Sequence, residues 1–227
     1  MEYTIKAIAR IRSDFPTKFG IPRQAGIVEE LEARIVFEPE YRNPDALRGL
    51  EGFSHIWLIW QFSQAVREDW SPTVRPPRLG GNTRMGVFAT RSPFRPNALG
   101  LSCVRLLGIE DTEEGRTLRV AGADLMDGTP IFDIKPYIPY CDCHPDALGG
   151  FTQEAGDYLL QVDFPAELLG VLPEEKRDAA VGVLSHDPRP SYQQQPGRVY
   201  GMTFAGCNIR FTVEDGVLHV ISTERSY

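Results

Sequence analysis

The chain has 227 residues, 42% of them hydrophobic and 24% charged, a composition that fits one large domain or a main domain with an appendage and excludes disordered, collagen-like and disulfide-scaffold classes. Its net charge of −7 argues against a protein that coats nucleic acid, yet residues 1–105 carry 15 Lys+Arg against 11 Asp+Glu, whereas residues 106–227 carry 9 against 20. The longest apolar run, 53–62, is half the roughly 20 residues of a membrane span and contains His55 and Gln61, so no transmembrane helix is expected. No basic n-region followed by an apolar core opens the chain, so no secretory signal is expected and the default compartment is the cytoplasm. The cysteines, Cys103, Cys141, Cys143 and Cys207, are too few for a disulfide framework and are expected as reduced thiols.

In chain order, Tyr3 to Ile11 alternates apolar with mixed residues in the manner of a half-buried strand. Comparable runs follow at Gly26 to Phe37, Phe53 to Phe62, Met85 to Thr90, Leu99 to Ile109, Thr117 to Leu125 and Ile131 to Ile138. They are rich in Val, Ile, Phe, Tyr and Trp and are separated by Gly, Pro, Asn and Asp clusters. Glu110 to Gly115 is a polar hairpin connection between two of them. A parallel α/β sheet needs helical crossovers of about a dozen residues, and none precedes residue 140. The pattern predicts a mainly β fold, a barrel or a sandwich, in the N-terminal part of the chain. Beyond a turn-rich stretch, Pro173 to Leu184 reads as a short amphipathic helix with proline at its start and acids in its first turn. Arg198 to Val213 and Val217 to Ser222 read as a hairpin turned by Glu214-Asp215-Gly216. A small C-terminal α+β domain over 150–227 is the expectation.

Between Ser71 and Arg105 lie six arginines, Arg75, Arg78, Arg84, Arg91, Arg95 and Arg105, with no acid or lysine among them. Arginine offers planar, bidentate donors to phosphate and carboxylate and stacks on bases, so the cluster suits an anionic or nucleotide partner. The alternative is that acids of the other half pair with it. Prolines flank these arginines, which limits the entropy lost when the loop clamps an anion. Two further loops stand out: Phe15 to Gln24, with two prolines and two cations, and the carboxylate-bearing turn Asp124 to Pro130 with Asp133 to Tyr140 after it. Cys141-Asp142-Cys143-His144 is tighter than ordinary zinc-finger spacing, and no metal site is expected from it.

Four runs carry a resemblance: Lys18 to Gln24, Leu50 to Trp57, Gly86 to Asn97, and Asp127 to Tyr137. Together and in this order they resemble the TrmO (TsaA, YaeB) family over about residues 1–145, and Asp187 to Pro190, Tyr192 and Tyr200 resemble the family's small C-terminal domain. The resemblance implies a β-barrel methyltransferase that uses S-adenosylmethionine to methylate N6 of threonylcarbamoyladenosine at position 37 of tRNA. It also implies a homodimer with the cofactor near the subunit interface. No Gly-x-Gly-x-x-Gly follows a predicted strand, in keeping with a barrel.

Carried onto this sequence, the cofactor pocket would use Pro22, Arg23, Gln24, Phe62, Ser63, Arg91, Leu101, Asp124, Leu125, Met126 and Asp127. The family commonly has histidine where this chain has Ser63, which removes any titrating role near neutrality there. Candidates for accepting the N6 proton are Asp133 and Asp127, with Lys135 and Tyr137 as positioners. Arg75, Arg78, Arg84, Arg95, Phe94 and Asn97 are candidate tRNA contacts, and Arg189, Tyr192 and Tyr200 would add contacts from the second domain. Two other readings stand beside this one. A non-catalytic RNA-binding barrel would use the same arginines and aromatics, and a metal-dependent hydrolase would use Cys141, Cys143, His144 and the Asp124/Asp127 pair.

Overall fold

Strict alternation in His55–Gln61, where Ile56, Leu58 and Trp60 are buried and the residues between them half-buried, makes a strand with one face in a core. The computed structural model describes residues 3–67, 69–76, 79, 82–153, 158–190, 195 and 197–226. Its first eight strands are β1 (Ala9–Arg12), β2 (Glu32–Phe37), β3 (His55–Gln61), β4 (Thr73–Val74), β5 (Met85–Gly86), β6 (Leu99–Thr112), β7 (Gly115–Ala121) and β8 (Pro130–Pro136). Six of them close into an antiparallel barrel in the order β1-β2-β7-β6-β3-β8, with Ala9 opposite Ile131 at the closing seam. β4 and β5 form a separate two-stranded ribbon within the β3–β6 connection.

The barrel is filled by the inward residues of each strand, among them Ile11, Ile35, Ile56, Leu58, Val104, Leu118, Val120 and Ile131. Full burial of such a side chain stabilises by roughly 1.5–3 kcal/mol. Gly100 on β6 is required by packing, because a Cβ there would run into the ring of Trp60 across the strand pair.

A short helix α1 (Pro139–Asp142) leaves the barrel, and the chain then builds a second unit from β9 (Gln161–Asp163), α2 (Ala166–Leu169), α3 (Arg177–Ser185), β10 (Tyr200–Phe204), β11 (Cys207–Glu214) and β12 (Val217–Arg225). Its sheet runs β10-β11-β12-β9, with β9 parallel to β12. The core of this unit joins Phe204, Ile209, Phe211, Leu218, Ala180 and Leu184 to three residues of the N-terminal part, Phe15, Val28 and Leu31. Among the described residues no helix is long and apolar enough to cross a membrane.

Several strand expectations shorten, that over Thr117 to Leu125 ending at Ala121, where Gly122, at φ +74°, turns the chain. Residues 3–6 are exposed and outside the ladder, so the first strand begins at Ala9. Gly26 to Leu31 forms no strand because it crosses the barrel end: Gly26 donates to the carbonyl of Gly122 (2.8 Å), Gly122 donates to that of Leu31 (2.8 Å), and Val28 and Leu31 enter the second core. Met85 to Thr90 is a strand for two residues only and then turns as a 3-10 helix, Val87–Ala89. The run Arg198 to Val213 is two strands, not one, because Ala205, at φ +48°, and Gly206 turn the chain between β10 and β11. The helix expected over 173–184 is a 3-10 turn, Glu174–Lys176, leading into α3.

Candidate functional site

The 13–31 segment and the Asp124–Asp127 turn meet at one end of the barrel. The Ser13 hydroxyl donates to the carbonyl of Leu125 (2.8 Å), the Ser13 amide donates to Asp127 Oδ1 (3.1 Å), and the Asp127 amide donates to the carbonyl of Phe15 (2.9 Å). Close approach of the two segments needs glycine at 122, where φ is +74° and a Cβ would sit 3.1 Å from Gly26 Cα. Asp127 is thereby committed to holding the turn.

At this end, Arg91 donates to the side-chain oxygen of Gln24. Behind them Asp124 Oδ1 accepts from the Ser102 hydroxyl (2.6 Å), and Ser102 accepts from the Trp60 indole (2.9 Å). Burial pushes the Asp124 carboxyl above the usual range, against the Ser102 hydrogen bond and the charge of Arg91 that pull it down. The Phe62 ring lies edge-on to Trp60, centroids 4.3 Å apart. Leu125 is fully buried in the barrel, and Met126 is half-buried with its carbonyl accepting from Thr129. Pro22 and Arg23 stand beside Gln24 on the crossing loop, and Ser63 is exposed just past β3.

Ser102 is a member of this network that motif reading passes over. Its signal is register: on β6 it occupies an inward position between Gly100 and Val104, where a buried hydroxyl needs a partner.

Leu101, next to Ser102, points outward and is 55% exposed. Cross-strand register puts it in a row with Ile59 and Asp133, above a row of Cys103, Trp57 and Lys135. His55 and Tyr137 follow, with ring centroids 6.1 Å apart. The candidate set therefore divides in two. Gln24, Arg91, Asp124 and Asp127 gather at the barrel end, while Leu101, Asp133, Lys135 and Tyr137 share the outer face of β6, β3 and β8. Lys135 Nζ lies 2.9 Å from Asp133 Oδ2. Beside them the Ile138 amide and the Trp57 indole hold the Asp142 carboxyl below the usual range.

The alternative that acids neutralise the arginine cluster is testable by geometry. Arg10, Arg34, Arg116 and Arg119 of the barrel each pair with a carboxylate. Among the described residues Arg75, Arg84, Arg91, Arg95 and Arg105 form no such pair, although Arg95 donates to the carbonyl of Thr90 (3.1 Å). Arg75, Arg84, Phe94 and Asn97 are exposed. Arg78 and Tyr192 lie outside the described residues.

Two of the second-domain candidates are core residues. Arg189 is 9% exposed and its guanidinium binds Asp187 with both branches, at 2.8 and 2.9 Å. Tyr200 is 5% exposed and stacked on Phe211. Packing has taken both away from the surface that RNA would touch. Among the described residues no group of three His, Cys, Asp or Glu could hold a metal ion. Surface cavities of about 360 and 560 Å³ lie beside Leu47 and Arg48, and neither is lined by the barrel-end residues.

The fold of the chain is similar to that of solved TrmO structures. A TrmO crystal structure from Pseudomonas aeruginosa superposes with a TM-score of 0.80 at 33% identity, covering 100% of this chain and 98% of that one. The class is thus a β-barrel one, without a Rossmann sheet. Residues 10–143 match the model of the tRNA-methyltransferase O N-terminal domain, and residues 157–226 match that of the TrmO C-terminal domain. The chain belongs to the tRNA-methyltransferase O family. It is 41% identical to the tRNA (adenine(37)-N6)-methyltransferase of Escherichia coli (strain K12) over 98% of both chains. It is also 42% identical to a Methanothermobacter thermautotrophicus protein named "Probable S-adenosyl-L-methionine-binding protein", over 60% of this chain and 91% of that one.

Proposed function

We propose that this protein is a tRNA (adenine(37)-N6)-methyltransferase that uses S-adenosylmethionine and acts on the threonylcarbamoyl form of that adenosine. The observation that carries the reading is the Gln24, Arg91 and Asp124 cluster at the barrel end, built on family motifs in a chain that matches the Escherichia coli enzyme from end to end. The residues suit the cofactor chemically. Arg91, fixed by Gln24, offers a guanidinium to a carboxylate. Asp124 offers an acceptor to a hydroxyl or ammonium group, and Phe62 offers an apolar ring to a base.

S-adenosylmethionine supplies a methyl group on a sulfonium, whose sulfur is a good leaving group. The protein's work is then alignment and electrostatics. The N6 of the substrate is acylated, which weakens it as a nucleophile and eases removal of its proton. Asp133 is our choice of acceptor, because its side chain is half-exposed on the outer face, one oxygen accepting from the Ile134 amide (2.9 Å) and the other facing Lys135, whereas Asp127 lies within the turn it ties to Ser13. Tyr137 and Lys135 position it.

Asp133 and the barrel-end cluster lie on different faces of one chain, and the outer face carries exposed Leu99 and Leu101 beside Trp57 and Ile59. A homodimer formed through this face would cover those side chains and place Leu101, a candidate cofactor residue, and Asp133 at the seam. The tRNA contacts fall to Arg75, Arg84, Arg95, Phe94 and Asn97, and the work takes place in the cytoplasm, where tRNA is. Calorimetric titration with S-adenosylmethionine, combined with sedimentation equilibrium, tests the reading. Arg91→Ala is expected to abolish measurable binding in a folded dimer, and Leu101→Glu to yield monomers with weakened binding. Unchanged binding in both variants would refute the assignment.

A further inference from the structure

The connection from β3 to β6 presents aromatic rings to solvent that the fold does not use. Trp70 and Phe88 are 51% and 74% exposed, yet their rings lie nearly parallel, 26° apart in plane with centroids 6.1 Å apart. They flank the β4–β5 ribbon. Val87, next to Phe88, is buried, and its amide donates to the carbonyl of Pro72 (2.9 Å), so the base of the ribbon is anchored. At the opposite end the last pair is Val74 with Met85. Arg75 and Arg84 follow that pair directly, one from each strand, both exposed and both without an ion pair among the described residues. The same connection holds Phe94, 38% exposed, with the Arg67 guanidinium 3.9 Å above its ring centroid.

Exposed rings that pack on one another and not into a core offer flat π faces, and unpaired arginines offer charge to a polyanion. Both features select the same partner, a nucleic acid strand whose bases are free to stack. In a duplex the bases already stack on their neighbours, which leaves no face for Trp70 or Phe88. Asp69 precedes Trp70 at the aromatic end, whereas Arg75 and Arg84 stand at the far end of the ribbon, a separation that suits bases at the first and phosphates at the second.

We propose that the β4–β5 ribbon is an arm that grips unpaired nucleotides flanking the one to be methylated, with Trp70 and Phe88 stacking on bases and Arg75 and Arg84 holding the adjoining phosphates. The inference rests on the reading of the protein as an RNA methyltransferase and extends it to how the strand is held.

The test uses the full chain and an anticodon stem-loop RNA carrying threonylcarbamoyladenosine at position 37, with a blunt duplex of equal length as control. Trp60 is buried and Trp57 half-buried, so Trp70 is the exposed indole, and its fluorescence should be quenched by the stem-loop and not by the duplex. Trp70→Leu and Phe88→Leu should each weaken stem-loop binding about tenfold or more, leave S-adenosylmethionine binding unchanged and leave the salt dependence unchanged. Trp70→Phe should restore most of the loss. Arg75→Gln and Arg84→Gln should instead flatten the slope of log affinity against log salt by about 0.7 each. The arm is refuted if the leucine variants bind the stem-loop as the wild type does, or if they lose RNA only because sedimentation shows their dimer has dissociated. If the wild type methylates the stem-loop while the leucine variants are unaffected, the arm alone fails. If the wild type neither binds nor methylates it, the methyltransferase reading fails and the arm falls with it.

Discussion

Lys176 Nζ lies 2.6 Å from Asp14 Oδ2, an ion pair between residues 162 positions apart that ties the start of α3 to the loop after β1. Its side chains are only 23% and 19% exposed, and it sits beside the Phe15–Phe204 ring contact (centroids 5.2 Å) and the hydrogen bond from the Ala205 amide to the carbonyl of Asp14 (3.1 Å). The loop that presents Pro22, Arg23 and Gln24 is therefore braced from behind by the second domain.

A double-mutant cycle measures the brace. Lys176→Met and Asp14→Asn should couple by about 1 kcal/mol, between the values of exposed and buried pairs. Coupling near zero in urea unfolding would show that the pair is idle.

Removal of residues 150–227 would expose Phe15, Val28 and Leu31, which have no other core. The truncated protein should melt at lower temperature and bind S-adenosylmethionine more weakly, because the crossing loop loses its support. Tritium-label binding alongside calorimetry reads both; undiminished cofactor affinity would confine the domain's role to other contacts.

The raised Asp124 carboxyl gives a pH signature. A carboxyl whose folded-state pKa is raised stabilises the fold most when protonated, at pH below its unfolded pKa, and that contribution is lost as pH rises through the folded value. Asp124→Asn, which keeps an acceptor for Ser102, should thus gain stability relative to the wild type as pH rises from 4 toward neutrality, and should lose cofactor affinity. Tm measured across that range checks the sign; a parallel pair of curves would mean Asp124 is not desolvated.

Thiol reactivity separates the four cysteines. Cys141 and Cys143 are exposed and should react with Ellman's reagent within the native protein. Cys207 is buried in the second core, its thiol pushed up by burial, and should react only on unfolding. Cys103, half-buried and likewise raised by burial, should be slow. Four equally fast thiols would contradict the packing of β11.

Much of this was legible in the sequence because strand alternation is local. His55–Gln61 and Leu99–Thr112 show their inward and outward faces without reference to anything else, and the arginine cluster without acids is visible by inspection. Gly26 to Leu31 was not legible as a crossing segment: its apolar residues fit a strand pattern, and only the contacts with Gly122 and the second core, far away in sequence, decide the outcome. Arg189 and Tyr200 show the same limit, since an exposed contact residue and a buried pair have one spelling. Ser102 acquires its role from Trp60 on one side and Asp124 on the other, neither of them near in the chain.

The most direct test of the central claim is transfer of labelled methyl from S-adenosylmethionine to tRNA prepared with and without the threonylcarbamoyl modification, followed by nucleoside analysis. Label is expected on threonylcarbamoyladenosine and none on tRNA that lacks it. Label on unmodified adenosine, or on neither tRNA while S-adenosylmethionine binds, would contradict the proposed substrate.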